Sequence, residues 1–311
     1  MITPLVTIGV ASFNNAPYLL ETLNSIRDMD YPYLQIVVVD DASRDSSVDI
    51  INQWKQENPQ LDITFFAHEV NRGICRVLNQ VLEISEGEFF AYVGSDDILL
   101  PNRIRQQVEA FTRLDASYGV VYGDIAYMDS TGQPLPSPAD LTDPHSGQVF
   151  MDILRVNFVA AMSALVRRSC FDRVGLYDES LSYEDWDIWL RLAREYQFLR
   201  VPGVVARYRI HQGSSTSRRR VQITEGSLQL LQKHWGYSPD ADRLIAGHTR
   251  RLAETLYQLD SPEAHHWLWR GWRGAPDAKG FILWLLARLD IPVKRATQMK
   301  NILGKSSLAT M

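Results

Sequence analysis

Two cysteines, Cys75 and Cys170, are all that 311 residues contain. They are far apart and no metal-ligand spacing links them, so buried reduced thiols are expected rather than a zinc site or a disulfide framework. Long apolar runs are also missing. The longest, Phe281–Ala287, falls far short of the roughly 20 residues that cross a bilayer. No basic segment leads into an apolar one near Met1, so no signal peptide is read and a cytoplasmic location is expected. Positive charge is not in excess. With 32 Lys and Arg against 37 Asp and Glu, the net charge is -5. That argues against a protein that grips nucleic-acid phosphates along its length. The charge is uneven, however: residues 222–311 hold 12 basic against 8 acidic side chains, and the remainder 20 against 29.

What is present is an ordinary globular composition, 45% hydrophobic and 22% charged, long enough for one large domain or two smaller ones. Leu5–Ala11 is a β-branched run of strand length, and Leu34–Asp40 is nearly all apolar up to its acidic end. Such a run suits a strand buried on both faces of a parallel sheet. Leu61–Ala67 and Glu88–Gly94 read as two more strands. Helical spacing separates them at Pro17–Arg27, Ser43–Glu57 and Gly73–Ser85, and returns from Pro101 to about Arg113. Strand and helix alternating four times predicts a doubly wound parallel sheet, whose ligands lie beyond the carboxyl ends of the strands.

After about residue 115 the pattern becomes mixed. Short strands are read at 120–122, 125–128, 160–166 and 204–210, and a helix within 182–194, with 134–147 as a flexible loop. From about Arg218 onward only helices are read. The expected division is 1–220 for the α/β domain and 221–311 for a helical extension. Residues 1–115 would form the regularly alternating half and 116–220 a mixed-sheet half that completes the same site.

Four constellations carry chemistry. Asp96-Asp97 ends the fourth strand. Adjacent carboxylates repel unless a cation or hydrogen-bond donors compensate. Asp40-Asp41 ends the second strand, where a carboxylate can accept the imide N–H of uracil or thymine; Asp41 or Ser43 also suits a helix cap. Glu184-Asp185, within an acidic and Trp-rich stretch, opens a helix; a half-buried carboxylate there would make a better general base. Arg209, His211 and the Ser/Thr run after them suit phosphate oxygens or a metal. Farther on, Phe281–Leu289 is aromatic and then basic, and reads either as a core helix or as a peripheral membrane contact through the C-terminal helices.

Taken together these segments resemble the family 2 inverting glycosyltransferases of GT-A fold. The resemblance covers about residues 3–218. It rests on Val6–Asn15, Val37–Ser43, Asn71-Arg72-Gly73 with Asn79, Gly94–Pro101, Tyr183–Asp187 and Tyr208–His211, in that order. The implied fold is a Rossmann-like, mostly parallel sheet with helices on both faces, plus the C-terminal all-helical extension.

By the same resemblance, Ala11, Phe13, Asp41, Gly73 and Asp96 bind the nucleotide, with Asp41 on the base and Asp96 on the ribose. Asp97, Asp96 and His211 hold a divalent cation, Mn²⁺ or Mg²⁺, with Asp97 favoured as the ligand. Asp185 is the catalytic base. Glu184, Arg209, Ser214 and Ser215 support the diphosphate. The implied donor is a UDP- or dTDP-sugar, and the acceptor a glycan, lipid-linked or polysaccharide hydroxyl in bacterial cell-surface synthesis. One position departs from the pattern: Gly94 stands where many members carry a further Asp.

Two other classes compete. A nucleotidyltransferase that makes the activated sugar would need a Gly-rich triphosphate loop with Arg or Lys near the first strand, and residues 9–20 contain neither. A degenerate, non-catalytic nucleotide-binding or scaffold domain finds its only support in Gly94.

Overall fold

In a computed structural model the chain forms two compact units, Met1–Ser214 and Ser215–Met311. The residues described are 3–136, 145–213, 219–274 and 276–291.

The first unit opens with strict alternation. β1 (Val6–Ser12), β2 (Leu34–Asp40), β3 (Asp62–Ala67) and β4 (Phe89–Gly94) are separated by α1 (Ala16–Arg27), α2 (Ser47–Glu57) and α3 (Ile74–Ile84). The four strands are parallel in the order β3-β2-β1-β4. The chain therefore steps outward from β1 to β2 and β3, then returns to its other side as β4. A crevice opens beyond the carboxyl ends at such a reversal. Leu19, Leu23 and Ile26 of α1 and Ile51 and Trp54 of α2 join Ile8, Val10, Ile36 and Val38 in one core. Each fully buried Leu or Ile contributes about 1.5–3 kcal/mol. Val77, Leu78, Val81 and Leu82 are the buried stripe of α3.

The sheet then becomes mixed. β5 (Ile98–Leu99), α4 (Arg103–Phe111), β6 (Tyr118–Met128), β7 (Pro134–Leu135), α5 (Phe150–Arg155), a 3₁₀ turn at Ala161–Ser163, β8 (Ala164–Arg167), α6 (Cys170–Val174), α7 (Asp185–Glu195) and β9 (Gln197–Arg209) follow. The order continues β4-β8-β6-β9-β5. β8 is antiparallel to β4 and β6, β9 is parallel to β6, and β7 is antiparallel to β6. Both cysteines are free and buried.

Three elements differ from the sequence reading. α2 starts at Ser47 rather than Ser43, because Ala42 takes a left-handed φ of 65° and Asp45 Oδ1 accepts from Ser47 N at 3.0 Å. The two short strands around Gly123 are one strand, β6, which absorbs register shifts between Tyr122 and Ile125. There Arg200 grips Asp124 through two 2.8 Å bonds. β9 runs 13 residues and starts well before 204. Of the expected loop 134–147, residues 137–144 lie outside the described residues, and Pro134–Leu135 pairs with β6.

The described part of the second unit holds four helices, α8 (Arg220–Lys233), α9 (Pro239–Gln258), α10 (Ala264–Gly274) and α11 (Ala278–Arg288). Ser238 Oγ caps α9 by accepting from Ala241 N, and Asp277 Oδ1 caps α11 by accepting from Gly280 N at 2.6 Å. Leu228, Leu256, Trp267 and Leu268 form its core. Among the described residues no helix is long and apolar enough to cross a membrane.

Candidate active site

Of the adjacent acid pairs in the first unit, the three expected at the site are each held differently. The first follows β2. Parallel register sets Ser12 opposite Asp40, and Ser12 Oγ donates to Asp40 Oδ2 at 2.8 Å. Ser43 donates twice more, from its hydroxyl at 2.6 Å and its backbone N–H at 2.8 Å. The turn is thus capped by Asp40, not by Asp41 or Ser43. Asp40 is fully buried, and its carboxylate is satisfied by protein donors.

Asp41 turns the other way. Its Oδ1 accepts from Arg72 N at 2.7 Å and faces His68 Nδ1 at 2.8 Å. Its Oδ2 accepts from Gly73 N at 2.8 Å. With the carboxylate accepting, His68 donates through Nδ1, and its Nε2 lies 2.7 Å from Gln80 Oε1. Gly73 has φ 87°, a left-handed conformation that only glycine adopts without strain, so the turn can aim two successive N–H groups at Asp41. A cavity of about 460 Å³ opens beside this pair, with Phe13, Ser43, Arg44, His68 and Val70 in its lining. Phe13 is exposed there, and Asn14 and Ala42, also in the lining, both have positive φ. Backbone held in such regions clusters at functional sites.

The second pair follows β4. Asp97 is buried; its Oδ1 accepts from Arg209 N at 2.8 Å and its backbone carbonyl from Thr22 Oγ1 at 2.7 Å. Burial and then the neighbouring Asp96 charge push its carboxyl well above the usual range. Asp96 Oδ2 lies 3.0 Å from His211 Nε2, and that imidazole packs 4.8 Å from the Tyr18 ring. A side chain at Gly94 would start 2.8 Å from Asp96 Oδ1 and 3.6 Å from Asp97 Oδ2. Both carboxyls therefore turn into the volume that the missing side chain leaves. The absence of a side chain at Gly94 leaves room for Asp96 Oδ1, with Asp97 Oδ2 alongside.

Arg209 was expected at the diphosphate, but its guanidinium is turned inward. Nε donates to the Asp96 carbonyl at 2.8 Å and NH2 to Glu21 at 2.5 Å, and the group lies 4.8 Å over Tyr18. It is only 2% exposed. With its donors engaged by α1 and the strand-end turn, it positions Asp96 and Asp97. Ser214 and Ser215 lie outside the described residues.

Among the described residues no three His, Cys, Asp or Glu side chains form a metal-binding group. Of the three expected ligands, Asp96 and His211 are brought within 3.0 Å of each other, and Asp97 is next to Asp96 in the chain. The donor chemistry still fits a hard cation. Asp96 Oδ1 and Asp97 Oδ2 approach the same space, Asp97 is destabilised as an anion, and Mg²⁺ or Mn²⁺ is commonly held by one or two carboxylates with substrate phosphates and waters.

The third pair opens α7. Glu184 Oε1 accepts from Tyr92 Oη at 2.7 Å. Tyr92 precedes Gly94 by two residues and so shares its face of β4. Burial and then the Asp185 charge push Glu184 up to about 7. Burial pushes Asp185 up to about 6, against hydrogen bonds from the Trp186 backbone and the Asn157 side chain. Such interacting carboxyls titrate as a pair. Next to them Asp187 is buried and bonds Arg191 at 2.8 Å, which ties α7 to the carbonyls of Val174, Gly175 and Leu176.

Ala11 lies within β1, where it pairs with Gly94 and Val39. Its carbonyl accepts from Ser95 N at 3.1 Å. His68, Tyr92, Asn157 and Glu21 were not singled out from sequence. His68 had an available signal, since it follows β3 and so stands at the same carboxyl edge as the acid pairs.

A parallel sheet with acidic turns at its carboxyl edge, completed by a mixed half, is the architecture of the GT-A glycosyltransferases. The profile of the family described as "Glycosyl transferase family 2" matches residues 7–175, and the chain belongs to that family. A glycosyltransferase of Rickettsia typhi is 26% identical over 72% of this chain and 69% of that protein. Bacillus subtilis TuaG, named for teichuronic acid biosynthesis, is 23% identical over 70% of this chain and 83% of that protein. Among solved structures, Staphylococcus aureus TarS 1–349 in complex with UDP-GlcNAc superposes with a TM-score of 0.67 at 18% identity, over 92% of this chain and 88% of that one. The mannosyltransferase PcManGT of Pyrobaculum calidifontis, in complex with GDP-Man and Mn²⁺, gives 0.62 at 22% identity, over 96% and 84%. At these identities the superpositions establish the fold.

Proposed function

We propose that this glycosyltransferase transfers a sugar from a UDP- or dTDP-sugar to an acceptor hydroxyl with inversion, in the synthesis of a cell-surface polysaccharide or glycolipid. The observation that carries the reading is the difference among the three acid pairs. One is built to accept an N–H, one faces a shared space suited to a cation, and one keeps a carboxyl with raised basicity.

Each pair has a step. Among the described residues Asp41 Oδ2 receives one donor, Gly73 N, and so keeps a lone pair for the ring N–H of uracil or thymine. Phe13 and Val70 offer apolar walls to that base. Asp96 and Asp97 would hold the divalent cation, with His211 and Arg209 orienting them. When bound, the ion neutralises charge on the diphosphate leaving group. Asp185 takes the proton from the acceptor hydroxyl as its oxygen attacks the anomeric carbon. The nucleoside diphosphate departs from the opposite face, which inverts the configuration through an oxocarbenium-like transition state. Residues 1–115 are assigned to the nucleotide, 116–220 to acceptor and catalysis, and 221–311 to a helical extension.

The test is a donor panel. UDP, dTDP and GDP are titrated with and without Mn²⁺, and the matching nucleotide-sugars are then assayed for transfer and slow hydrolysis. Tight binding of UDP or dTDP with turnover of its sugar supports the proposal. A preference for GDP, as in the PcManGT complex, would overturn the donor assignment. Asp185→Asn is expected to keep nucleotide affinity and lose transfer; normal turnover by that variant would remove Asp185 as the base.

A further inference from the structure

The second unit presents an apolar surface where a soluble helix would present charge. Phe281, Ile282, Leu285 and Leu289 are 41%, 55%, 41% and 61% exposed. At 100° per residue these four positions fall within about 100° of one another, so they form one stripe along α11 and its C-cap. The opposite side of the same helix is apolar too: Leu283, Trp284, Leu286 and Ala287 pack against the core that contains Leu256, Trp267 and Leu268. The helix is thus anchored by one face and bare on the other. Aromatic rings cluster beside the stripe. Phe281 lies 5.5 Å from both Trp272 and Trp284, and Trp269 lies 4.8 Å from Trp284.

Charge identifies the occupant. Residues 264–311 carry eight Lys or Arg against two Asp, in a chain whose net charge is -5. Arg288 stands at the C-terminal end of the stripe, while Lys279, near the other end of α11, is paired with Glu254 at 2.8 Å. The following residues, 292–311, hold Lys294, Arg295, Lys300 and Lys305 and no acid. An apolar stripe with aromatic residues and a local basic excess matches the hydrocarbon and headgroup layers of an anionic bilayer. At 11 residues, α11 is about 16 Å long and too short to span a bilayer core of about 30 Å. We propose that α11 lies flat in the interface of an anionic membrane, with Phe281, Ile282, Leu285 and Leu289 inserted and the basic side chains on the headgroups. This inference is independent of the donor and base assignments.

The experiment uses the full chain with vesicles of phosphatidylcholine alone and of phosphatidylcholine with about one third phosphatidylglycerol. Co-sedimentation is expected with the anionic vesicles and not with the neutral ones. Tryptophan emission should shift to the blue as Trp269 and Trp272 leave water. Raising salt to about 1 M shrinks the screening length to about 3 Å and should cut binding severalfold. The double variant Ile282→Asp, Leu285→Asp changes exposed side chains only. It should retain the native melting curve while binding about tenfold or more weakly. Vesicle binding by the double variant equal to that of the native chain would overturn the proposal, as would no binding by the native chain. A native dimer that the double variant converts to monomer, without vesicle binding, would overturn it in favour of a second copy of the chain.

Discussion

Asp40-Asp41 and Asp96-Asp97 are the same dipeptide at the ends of two parallel strands that flank β1, and the fold treats them oppositely. Around the first pair it arranges six donor contacts: two hydroxyls, three backbone N–H groups and an imidazole. Around the second, among the described residues, it supplies the backbone N–H of Arg209 and one imidazole, buries Asp97, and turns Asp96 Oδ1 and Asp97 Oδ2 toward the space over Gly94. Hydrogen-bond donors and cations are alternative ways to hold a carboxylate. A pair rich in donors serves as a structural joint. A pair with few donors is the one for which the proposed cation would supply the missing positive charge. Glu184-Asp185 is a third case, in which burial outweighs the hydrogen bonds to both carboxyls and the result is basicity.

The largest test of this contrast is at the third pair. Asp185→Asn should lower transfer by about 10²–10⁴ with nucleotide affinity unchanged in calorimetry. Next comes Asp97→Asn. It should abolish the response to Mn²⁺ and reduce transfer about a hundredfold or more, yet hold or raise Tm, because it removes a buried carboxyl that repels its neighbour. Asp40→Ala is the converse. It strands Ser12, Ser43 Oγ and Ser43 N, and a fall in Tm of about 5–10 °C is expected in a thermal-shift assay. If Asp40→Ala and Asp97→Asn shift Tm alike, the contrast between the pairs is broken.

The pH dependence sharpens the third case. Both carboxyls of Glu184-Asp185 lie above their ordinary values in the folded chain. The folded state therefore holds more protons than the unfolded one between about pH 4 and about pH 7, and stability falls as pH rises through that window. Transfer runs the other way, since Asp185 must be ionised to act as base. Its kcat/KM should rise through about pH 6, and a rate profile with its acidic limb near 4 would contradict the burial argument. The smallest effect is expected at Gly94. Gly94→Ala sets a methyl 2.8 Å from Asp96 Oδ1, so the flexible carboxyl end shifts aside. The half-saturating Mn²⁺ concentration should rise a few-fold while Tm stays constant.

Much of the first unit was legible because its signals are local. Leu34–Asp40 is observed with the expected bounds, since a continuous Val/Ile run can be buried only between two layers of helix. The acid pairs were visible because adjacent carboxylates at strand ends are conspicuous without any fold. What escaped notice depends on distant partners. The start of α2 moved to Ser47 because Asp40 captures Ser43 N and Ala42 turns left-handed. Tyr92 looked like one more apolar residue of β4 until α7 brought Glu184 to its hydroxyl. Arg209 looked like a phosphate ligand until α1 brought Glu21 to its guanidinium. On α11, apolar spacing alone could not show that one face packs on the helical core while the other is exposed.

The sequence by itself determined the alternation of strands and helices, the edge at which chemistry collects and the residue types available there, because these follow from side-chain periodicity and from charge repulsion between neighbours. Only the tertiary structure decided which pair receives many donors and which receives few. The deciding donors come from far along the chain. Ser12 reaches Asp40 across 28 residues, and Arg209 reaches Asp97 across 112. A carboxylate's charge state is set by whatever groups surround it in space, and no local pattern specifies those.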